Sequence, residues 1–388
     1  MSAIESAQAE YRALQRWLLA DALPRWAHDG YDSAHGGFQE KLTATGVAAG
    51  LPRRARVQVR QIYSFARAAR LGWDVAKAER LASAGLDYFL RHYRRGDGLY
   101  RTLVAADGTS LDERAFLYDQ AFVLLALAEC HRLRNPTPEL LATARELRQA
   151  LHTHLKAPGA GFFSGVPEAL PLLSNPHMHL LEAALSWCSI SDEPMWRALA
   201  DEIIGLALTH FIDAGSGALR EQFDQQWSPL PGIAGRIVEP GHQFEWSWLL
   251  LCWRSDRDLQ ALRAARRLAQ IGETHGVRGG VAINELLDDF SVHNAEARLW
   301  PQTERLKAAA RLAATTGESD YWHLAAEAAR GLRRYLRGDA PGLWYDRLKP
   351  DGQFMAEPAP ASSFYHIICA IGELGDRLND PAAAAAAR

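Results

Sequence analysis

The chain has 388 residues, of which 48% are hydrophobic and 23% are charged, and its formal net charge is −3. This length allows a large core, and the weak negative charge argues against nucleic acid or an anionic membrane as a partner. The four cysteines form no C-x-x-C pair, and neither a signal-peptide core nor an apolar run of about 20 residues is present. We therefore expect a cytoplasmic protein with free thiols.

Helical periodicity runs through almost the whole chain. Apolar residues recur at intervals of three and four in segments such as VRQIYSFARAARLGW, AERLASAGLDYFLRHY and YWHLAAEAARGLRRYL, with Arg and Glu between them. Ala and Leu dominate these segments, and both residues favour helix. Convincing strands with a period of two are scarce. The sequence therefore predicts an all-α fold.

A glycine followed by a hydrophobic residue recurs along the chain at spacings of 56 to 63 residues. The repeated glycines are Gly37, Gly98, Gly161, Gly217, Gly280 and Gly342. A period of this length fits two helices with their connections. Short extended pieces such as GFQEKL, GLYRTLV and GLWYDRL follow several of these glycines. We expect them to form small hairpins or long loops at one end of each helix pair.

Six helix pairs can bury both layers as an open solenoid or as a closed (α/α)6 barrel. The two ends of the chain resemble its middle and carry no charged capping repeats, which favours closure. The predicted inner helices are the most apolar segments, at 61–69, 121–128, 179–187, 244–252, 306–314 and 364–371. No linker interrupts the period, so the whole of 1–388 is predicted to be a single catalytic domain.

Polar side chains stand where at least five of the six inner helices are predicted to begin. They are Arg60; Tyr118, Asp119 and Gln120; Asn175, His177, His179 and Glu182; His242 and Glu245; Trp300, Gln302, Glu304 and Arg305; and Tyr365 and His366. A shared central pocket explains this coincidence better than independent events do. Taken singly, Asp119 is compatible with a helix cap and Trp246 with a core position. His177 points away from His179 on a helix and is therefore expected to be structural.

This set of residues suits proton transfer at carbon. Two histidines across a cavity can act as general acid and general base near neutral pH. A neighbouring arginine and glutamate can stabilise or orient an oxyanion. Aromatic residues can line a pocket for the apolar face of a sugar ring; the candidates are Tyr118, Trp246, Trp300 and Trp344. Phosphate-binding loops, dinucleotide fingerprints and G-x-S-x-G are missing from the sequence. We expect no cofactor and no metal.

The segments PGHQFEWSWLL, NPHMHLLEA, YHIICAI and QVRQIYSFA resemble the N-acylglucosamine 2-epimerase superfamily, and its mannose isomerase-like branch in particular. The resemblance covers essentially the whole chain and implies an (α/α)6 barrel. It implies that His242 and His366 are the catalytic acid and base. It implies further that Arg60 contacts the substrate oxygens, that His179 binds the sugar and assists ring opening, and that Glu245 holds the imidazole of His242.

The reaction that this resemblance implies is the conversion of D-mannose to D-fructose through a cis-enediol(ate). The remaining predicted substrate-binding residues are Tyr118, Asn175, Glu182, Trp300, Glu304 and Trp246. Return of the proton to C2 from the other face would give the epimer, so a sugar 2-epimerase is an alternative. The basic segment 53–60 leaves a phosphorylated or sulfonated sugar open. The expected partner is a monosaccharide, and the protein is expected to be a monomer or a homodimer.

Three other functions fit parts of the pattern. A glycoside hydrolase or lyase needs two carboxylates across the cleft, which Asp119, Glu245 and Glu304 are candidates to supply. The pairs His179-x-x-Glu182 and His242-x-x-Glu245 resemble the carboxylate–histidine pairs of helical metal sites. A non-enzymatic α-solenoid scaffold would present a charged or apolar concave surface without a buried histidine pair.

Overall fold

The computed structural model describes residues 2–134, 137–254 and 258–380, and most of them are helical. The α-helices are α1 Ala3–Trp17, α2 Leu23–His28, α3 Ala55–Ala68, α4 Val75–Tyr93, α5 Leu117–Leu133, α6 Pro138–His154, α7 Ser174–Cys188, α8 Pro194–Leu206, α9 Pro240–Trp253, α10 Leu259–Gly276, α11 Leu299–Thr316, α12 Ser319–Tyr335 and α13 Ser362–Leu378. Short π-helical turns join α1 to α2 and extend α8, at Leu18–Ala22 and Ala207–Phe211. Single 3₁₀ turns occupy Ala69–Leu71 and Ala234–Arg236.

Short strands lie between the helices. They are β1 Lys41–Leu42, β2 Arg53–Arg54, β3 Leu103–Val104, β4 Ser110–Asp112, β5 Ala115–Phe116, β6 Gly165–Val166, β7 Leu172–Leu173, β8 Gln222–Phe223, β9 Val277–Arg278, β10 Val281–Ala282, β11 Glu285–Leu286, β12 Val292–Asn294, β13 Ala297–Arg298, β14 Arg347–Leu348 and β15 Ala359–Pro360. All pairings are antiparallel: β2-β3-β4 form one sheet, and β1-β15, β5-β6, β7-β8, β9-β10, β11-β12 and β13-β14 form pairs. Several pairs join one repeat to the next.

The odd-numbered helices from α3 to α13 form a closed inner ring. Each contacts the next one along the chain, and α13 contacts α3, which completes the circle. The even-numbered helices from α4 to α12 each pack outside an inner helix, and α1 lies against α12 and α13. The predicted closed (α/α)6 barrel is therefore confirmed, and the open solenoid is wrong. The inner helices begin two to seven residues before the predicted stretches, so the polar residues lie in their first turns.

Burial separates the two layers as the sequence pattern predicts. The inner helix α9 is buried on almost every side, because it contacts α7, α10 and α11. The outer helix α10 has half-buried or exposed residues apart from those on its protein-facing side, where Ala261, Ala265, Leu268, Ala269, Ile271, Gly272 and Gly276 are buried. A helix in the outer layer has one protein-facing side, whereas an inner helix has neighbours all round.

The six repeated glycines share one backbone conformation. Gly37, Gly98, Gly161, Gly217, Gly280 and Gly342 all have positive φ, between 74° and 84°. A side chain is strained in this region, so glycine recurs where each connection turns back toward the barrel.

A glutamine at the start of an inner helix clamps the segment after several of these glycines. The side chain of Gln58 accepts from the backbone N–H of Phe38 at 2.7 Å and donates to its carbonyl at 2.8 Å. The same exchange joins Gln120 to Tyr100, Gln243 to Leu219 and Gln302 to Ala282. In the third repeat His177 takes this place: its Nε2 accepts from Phe162 at 3.0 Å, and its Nδ1 lies 2.8 Å from the carbonyl of Leu173. His177 is structural, as expected, and so are Gln120 and Gln302.

Candidate active site

A polar cavity of about 210 Å³ lies where the inner helices begin, and each of the six contributes to its wall. Its lining residues are Arg60, Tyr118, Asn175, His179, Glu239, His242, Glu245, Arg298, Trp300, Ser362, Ser363 and His366. Larger cavities, of about 550 Å³ each, lie elsewhere and contain neither His242 nor His366. The structure thus brings together most of the predicted site residues from positions more than 300 residues apart in the chain.

His366 lies in the first turns of α13 and is held from behind by a carboxylate. Its Nδ1 is 2.9 Å from Oε1 of Glu304, whose other oxygen lies 2.7 Å from Nζ of Lys307. A carboxylate accepts hydrogen bonds, so Nδ1 carries the hydrogen and the lone pair is on Nε2. Burial lowers the pKa of His366 to about 3, an effect that its hydrogen bond to Glu304 only partly offsets. The imidazole is therefore neutral at neutral pH.

His242 lies in the first turn of α9 and has the opposite charge state. Its Nδ1 is 2.9 Å from Oε2 of Glu221 and 3.7 Å from Oε2 of Glu239. Burial alone would lower the pKa of His242, but Glu221 and Glu239 raise it to about 10. Burial also raises the pKa of Glu239 to about 7. The two histidines of one cavity thus differ in protonation near neutral pH: His242 carries a proton that it can donate, and His366 can accept one.

Trp300 lies beside both histidines. Its ring centroid is 4.9 Å from that of His242 and 5.9 Å from that of His366. A Cβ on Gly241 would lie 2.4 Å from this indole, a distance that real Cβ atoms do not reach. The glycine of the PGH segment therefore lets Trp300 approach α9. An indole in this position can pack against the apolar face of a sugar whose reacting carbons lie between the histidines.

Arg60 is a buried cation with neutral neighbours. It is 5% exposed, and no carboxylate of the described residues lies within 4.0 Å of its nitrogens. Its guanidinium donates to the hydroxyl of Tyr118 and, at 3.4 Å, to the carbonyl of Ser362. The guanidinium carbon lies 4.1 Å from the ring centroid of Phe122. A desolvated cation that no described carboxylate neutralises can stabilise negative charge on a substrate oxygen.

His179 lies beside two carboxyl groups that behave differently. Its Nδ1 is 3.4 Å from Oε2 of Glu182 and 3.8 Å from Oε1 of Glu245. Burial lowers the pKa of His179 to about 4. Glu182 accepts a hydrogen bond from the hydroxyl of Tyr365. Burial, followed by the charge of Glu304, raises the pKa of Glu245 well above its usual range. This shift favours the protonated form of Glu245, and a protonated carboxyl can donate to a sugar hydroxyl.

The expected contact between Glu245 and His242 is wrong. Glu245 instead lies near His179, and Glu221 holds His242. Glu221 precedes β8, which pairs with β7 in front of α7. Ser174, the first residue of α7, donates to the same Oε2 of Glu221 at 3.0 Å. Sequence reasoning missed Glu221 because the pairing of β7 with β8, rather than helical spacing, brings it to the site.

Three predicted substrate-binding residues lie outside the cavity wall. Trp246 is fully buried and packs against Phe211 at a centroid distance of 5.8 Å, so its expected contact with substrate is wrong. Glu182 and Glu304 lie one layer back, behind His179 and His366. Tyr118, Asn175 and Trp300 do line the cavity. The side-chain carbonyl of Asn175 is buried without a protein hydrogen-bond partner among the described residues, which leaves it free for a substrate hydroxyl.

The three carboxylates considered for a hydrolase do not line the cavity together. Asp119 is fully buried and pairs with Arg56 at 2.8 Å, and Glu304 is also fully buried. Of the three carboxylates proposed for that function, only Glu245 reaches the cavity.

Ion pairs neutralise three of the four arginines in the basic segment 53–60. Arg53 pairs with Asp32, and Arg54 with Glu40 at 2.7 Å. Arg56 pairs with Asp119. Of these four arginines, Arg60 alone lines the cavity. Four cavity residues were not predicted from the sequence: Glu239, Arg298, Ser362 and Ser363.

Among the residues that the structure describes, two groups of side chains have donor atoms close enough to hold a metal ion. They are His179 with Glu182 and Glu245, and His242 with Glu221 and Glu239, each within 4.8 Å. In the described part of the chain, no helix combines the length and the apolar character that crossing a membrane requires.

Comparison with known proteins places this site in context. A protein from Rhizobium meliloti (strain 1021) named mannose-6-phosphate isomerase is 49% identical over 374 residues, which cover 94% of this chain and 96% of that protein. The solved structure of cellobiose 2-epimerase from Spirochaeta thermophila DSM 6192 matches with a TM-score of 0.85 at 23% identity, over 97% of this chain and 98% of that one. A crystal structure of D-mannose isomerase matches with a TM-score of 0.82 at 21% identity, over 96% of each chain.

The two structures establish the shared fold, and the relatives are named as sugar isomerases and epimerases. The chain is therefore an enzyme, a sugar isomerase or epimerase. The family model described as N-acylglucosamine 2-epimerase (GlcNAc 2-epimerase) matches residues 36–370. With most of its length matched, the chain belongs to the N-acylglucosamine 2-epimerase family.

Proposed function

We propose that the chain is an aldose–ketose isomerase that interconverts a hexose of the mannose configuration and the corresponding fructose by proton transfer, without a cofactor. The observation that carries this proposal is a pair of imidazoles in one cavity, each held at Nδ1 by a buried carboxylate. His366 is neutral and His242 is protonated, and both lie beside Trp300. A cavity of about 210 Å³ suits a monosaccharide.

The first step is opening of the sugar ring, which exposes the C1 carbonyl. His242 can protonate the ring oxygen as the C1–O5 bond breaks, because Glu221 keeps its imidazole charged. The neutral imidazole that results then takes the O1 proton, which forms the C1 carbonyl and restores the imidazolium. His179, Asn175 and Glu245 line the same cavity and provide hydrogen bonds to the sugar hydroxyls.

Isomerisation then follows as a proton transfer between adjacent carbons. Nε2 of His366 removes the proton from C2, the C–H electron pair forms the C1–C2 double bond, and the carbonyl pair moves to O1. The resulting cis-enediolate is stabilised by Arg60, and His242 protonates O1. His242, now neutral, takes the O2 proton, and the O–H electron pair re-forms the carbonyl at C2. The C1–C2 double-bond pair takes the proton of the His366 imidazolium at C1, which yields the ketose.

Epimerisation is the second candidate, because the same enediolate gives the C2 epimer if a proton reaches C2 from the opposite face. The family name supports it. The name of the 49% identical relative, mannose-6-phosphate isomerase, favours isomerisation.

The test is incubation in D2O with mannose, mannose 6-phosphate, glucose and cellobiose, followed by NMR. We expect ketose formation from a mannose-configured substrate, with deuterium entering at C1 of the ketose and C2 of the aldose. The His366→Gln variant should show no exchange. A deuterated C2 epimer without ketose would identify an epimerase instead, and no exchange with any sugar would refute both candidates.

A further inference from the structure

The mouth of the active-site cavity has a donor and an acceptor that no step of the proposed reaction uses. Arg298 and Ser363 both line this cavity. Arg298 is the last residue of β13, directly before α11, and Ser363 is the second residue of α13. Arg298 also lines an adjoining cavity of about 410 Å³, and its side chain is 46% exposed. This end of the active-site cavity therefore faces solvent.

One buried carboxylate holds both side chains. The hydroxyl of Ser363 donates to Oδ1 of Asp346 at 2.6 Å, and a guanidinium nitrogen of Arg298 lies 3.4 Å from Oδ2 of the same residue. Asp346 is 5% exposed and precedes β14, whose pairing with β13 brings it to Arg298. The backbone adds a hydrogen bond, from the N–H of Leu299 to the carbonyl of Asp346 at 2.9 Å. Asp346 therefore fixes Arg298 and Ser363 relative to each other.

The shared carboxylate decides what each side chain can offer a ligand. Because the hydroxyl hydrogen of Ser363 goes to Asp346, its Oγ presents lone pairs to the cavity, and this oxygen has no second hydrogen-bond partner among the described residues. The guanidinium of Arg298 can only donate, and Asp346 offsets its charge. Glu296 and Glu357 also line the adjoining space. An acceptor and a donor on one carboxylate, in a lining of mixed charge, suit two neighbouring hydroxyls of an uncharged polyol better than an anion.

Helix geometry places these groups nearer the mouth than the reacting carbons. Arg60 and His179 are each the sixth residue of an inner helix, and His366 is the fifth residue of α13. Ser363 comes three residues before His366, so the two lie on one side of α13 and about 4.5 Å apart along its axis. A sugar with C2 at Nε2 of His366 and O1 at Arg60 therefore has its next carbons beside Ser363.

We propose that Ser363 and Arg298, held in place by Asp346, bind the hydroxyls on C3 and C4 of the sugar. One hydroxyl donates to Oγ of Ser363, and its neighbour accepts from the guanidinium of Arg298. Asp346 does not touch the substrate and is a positioning residue. This assignment rests on the proposed function and names the residues that determine which configurations the enzyme accepts beyond C2.

Changes made in both the protein and the sugar test this assignment. In a His366→Gln background the sugar is not turned over, so equilibrium binding of mannose and of its 3-deoxy, 4-deoxy and 6-deoxy forms can be measured with the full chain. Adding Ser363→Ala should weaken mannose binding about three- to tenfold, the range for one hydrogen bond. Either the 3-deoxy or the 4-deoxy form should show no such loss, because it lacks the hydroxyl that Ser363 binds. The 6-deoxy form should lose as much as mannose.

Asp346→Asn, in a chain that keeps His366, tests the positioning role. It should raise KM for mannose while kcat changes less than about twofold, the pattern for a contact to a part of the substrate that does not react. The pH dependence of kcat/KM should stay the same, because Asp346 bonds to neither catalytic histidine. Ser363→Ala should cost less in this variant than in the wild type, since the two residues act together.

Ser247→Ala is the matched control. It removes an equally buried hydroxyl from the inner helix α9, and Ser247 lines neither of the two cavities, so affinity and kinetics should stay at wild-type values. Equal losses for all four sugars in Ser363→Ala, or no loss for any of them, would overturn the assignment while exchange in D2O persists. Absence of exchange with every sugar would instead refute the proposed isomerase, and this assignment with it.

Discussion

Lys307 and Glu304 form a fully buried ion pair of 2.7 Å behind the imidazole of His366. Neither side chain is exposed. The ammonium also lies 3.7 Å from the ring centroid of Trp248. Glu304 therefore stays ionised in the barrel interior: burial would raise its pKa, but Lys307 and His366 lower it to about 2. The charge that fixes the tautomer of the proposed base thus depends on a lysine one turn further along α11.

Removing this lysine should harm both stability and catalysis. In Lys307→Met the charge of Glu304 is left without its cation, and breaking a buried pair costs about 3–5 kcal/mol. Chemical denaturation should report that loss. The double variant Lys307→Met/Glu304→Gln removes both charges and should regain much of the stability while remaining catalytically impaired. A double variant with wild-type kcat would show that the pair serves packing alone.

Much of the fold follows from repeated local features. The glycines at intervals of 56 to 63 residues mark positions with positive φ, and the glutamine clamps lie at matching points of successive repeats. Helical periodicity gives the inner and outer layers. The spacing of His179 and Glu182 correctly predicts a contact, since residues three apart lie on one side of a helix.

The same spacing fails for His242 and Glu245, and the reason is physical. Because α9 is buried on nearly every side, its sequence carries no polar stripe to show which face lines the cavity. The same missing stripe explains why the sequence does not show that Trp246 faces the core. Glu221 reaches His242 through the pairing of β7 with β8, and strands of two residues leave almost no pattern in a sequence.

The opposite charge states of the two histidines predict a broad pH dependence. Activity requires a neutral His366, so kcat/KM should fall only as the pH drops toward about 3. It also requires a protonated His242, so kcat/KM should fall again as the pH rises through about 10. The pH–rate profile of the wild type measures both limits. A narrow bell centred near the ordinary histidine value would contradict these assignments.

Glu221 should control the alkaline limit of that profile. Its charge is the main factor that raises the pKa of His242 against burial. Glu221→Gln should therefore lower the pKa of His242, move the alkaline limb to lower pH and reduce kcat. Glu245→Gln provides the comparison, since Glu245 lies near His179 and contributes less than Glu221 to the pKa of His242. If Glu245→Gln moved the alkaline limb as far as Glu221→Gln, the assignment of Glu221 as the positioning residue would fail.

The same linkage predicts how His242 affects stability. Its folded-state pKa is higher than the ordinary value of an unfolded histidine, so its contribution is complete below that ordinary value and is lost as the pH rises toward about 10. Denaturation across this range should show the free energy of unfolding of the wild type declining relative to His242→Gln. A constant difference between the two proteins would mean that the charged imidazole is not stabilised in the fold.

Chelation should leave the reaction unchanged. The groups around His179 and His242 have the spacing of metal ligands, but the proposed steps use the histidines as a hydrogen-bonding group and a proton donor. Exhaustive treatment with a chelator, followed by assay in metal-free buffer, should preserve kcat/KM. Loss of activity that a single added divalent cation restores would replace the acid–base scheme with a metal-assisted one.

Gly241 offers a test of how closely Trp300 must approach α9. An alanine Cβ there would lie 2.4 Å and 2.5 Å from carbons of the indole and 3.1 Å from Pro301, so the rigid ring must move away. Overpacking of this kind costs about 1–3 kcal/mol. Because Trp300 adjoins both histidines, we expect KM to rise and kcat to fall in Gly241→Ala.

Gly205→Ala is the matched control for this prediction. Gly205 lies in α8, and an added Cβ there has no neighbour within 4 Å among the described residues. This change should raise the free energy of unfolding by about 0.5–1 kcal/mol, because alanine favours helix over glycine, and should leave turnover unaltered. Denaturation and steady-state kinetics on both variants separate the two effects. Wild-type kinetics in Gly241→Ala would show that the position of Trp300 against α9 does not matter for the reaction.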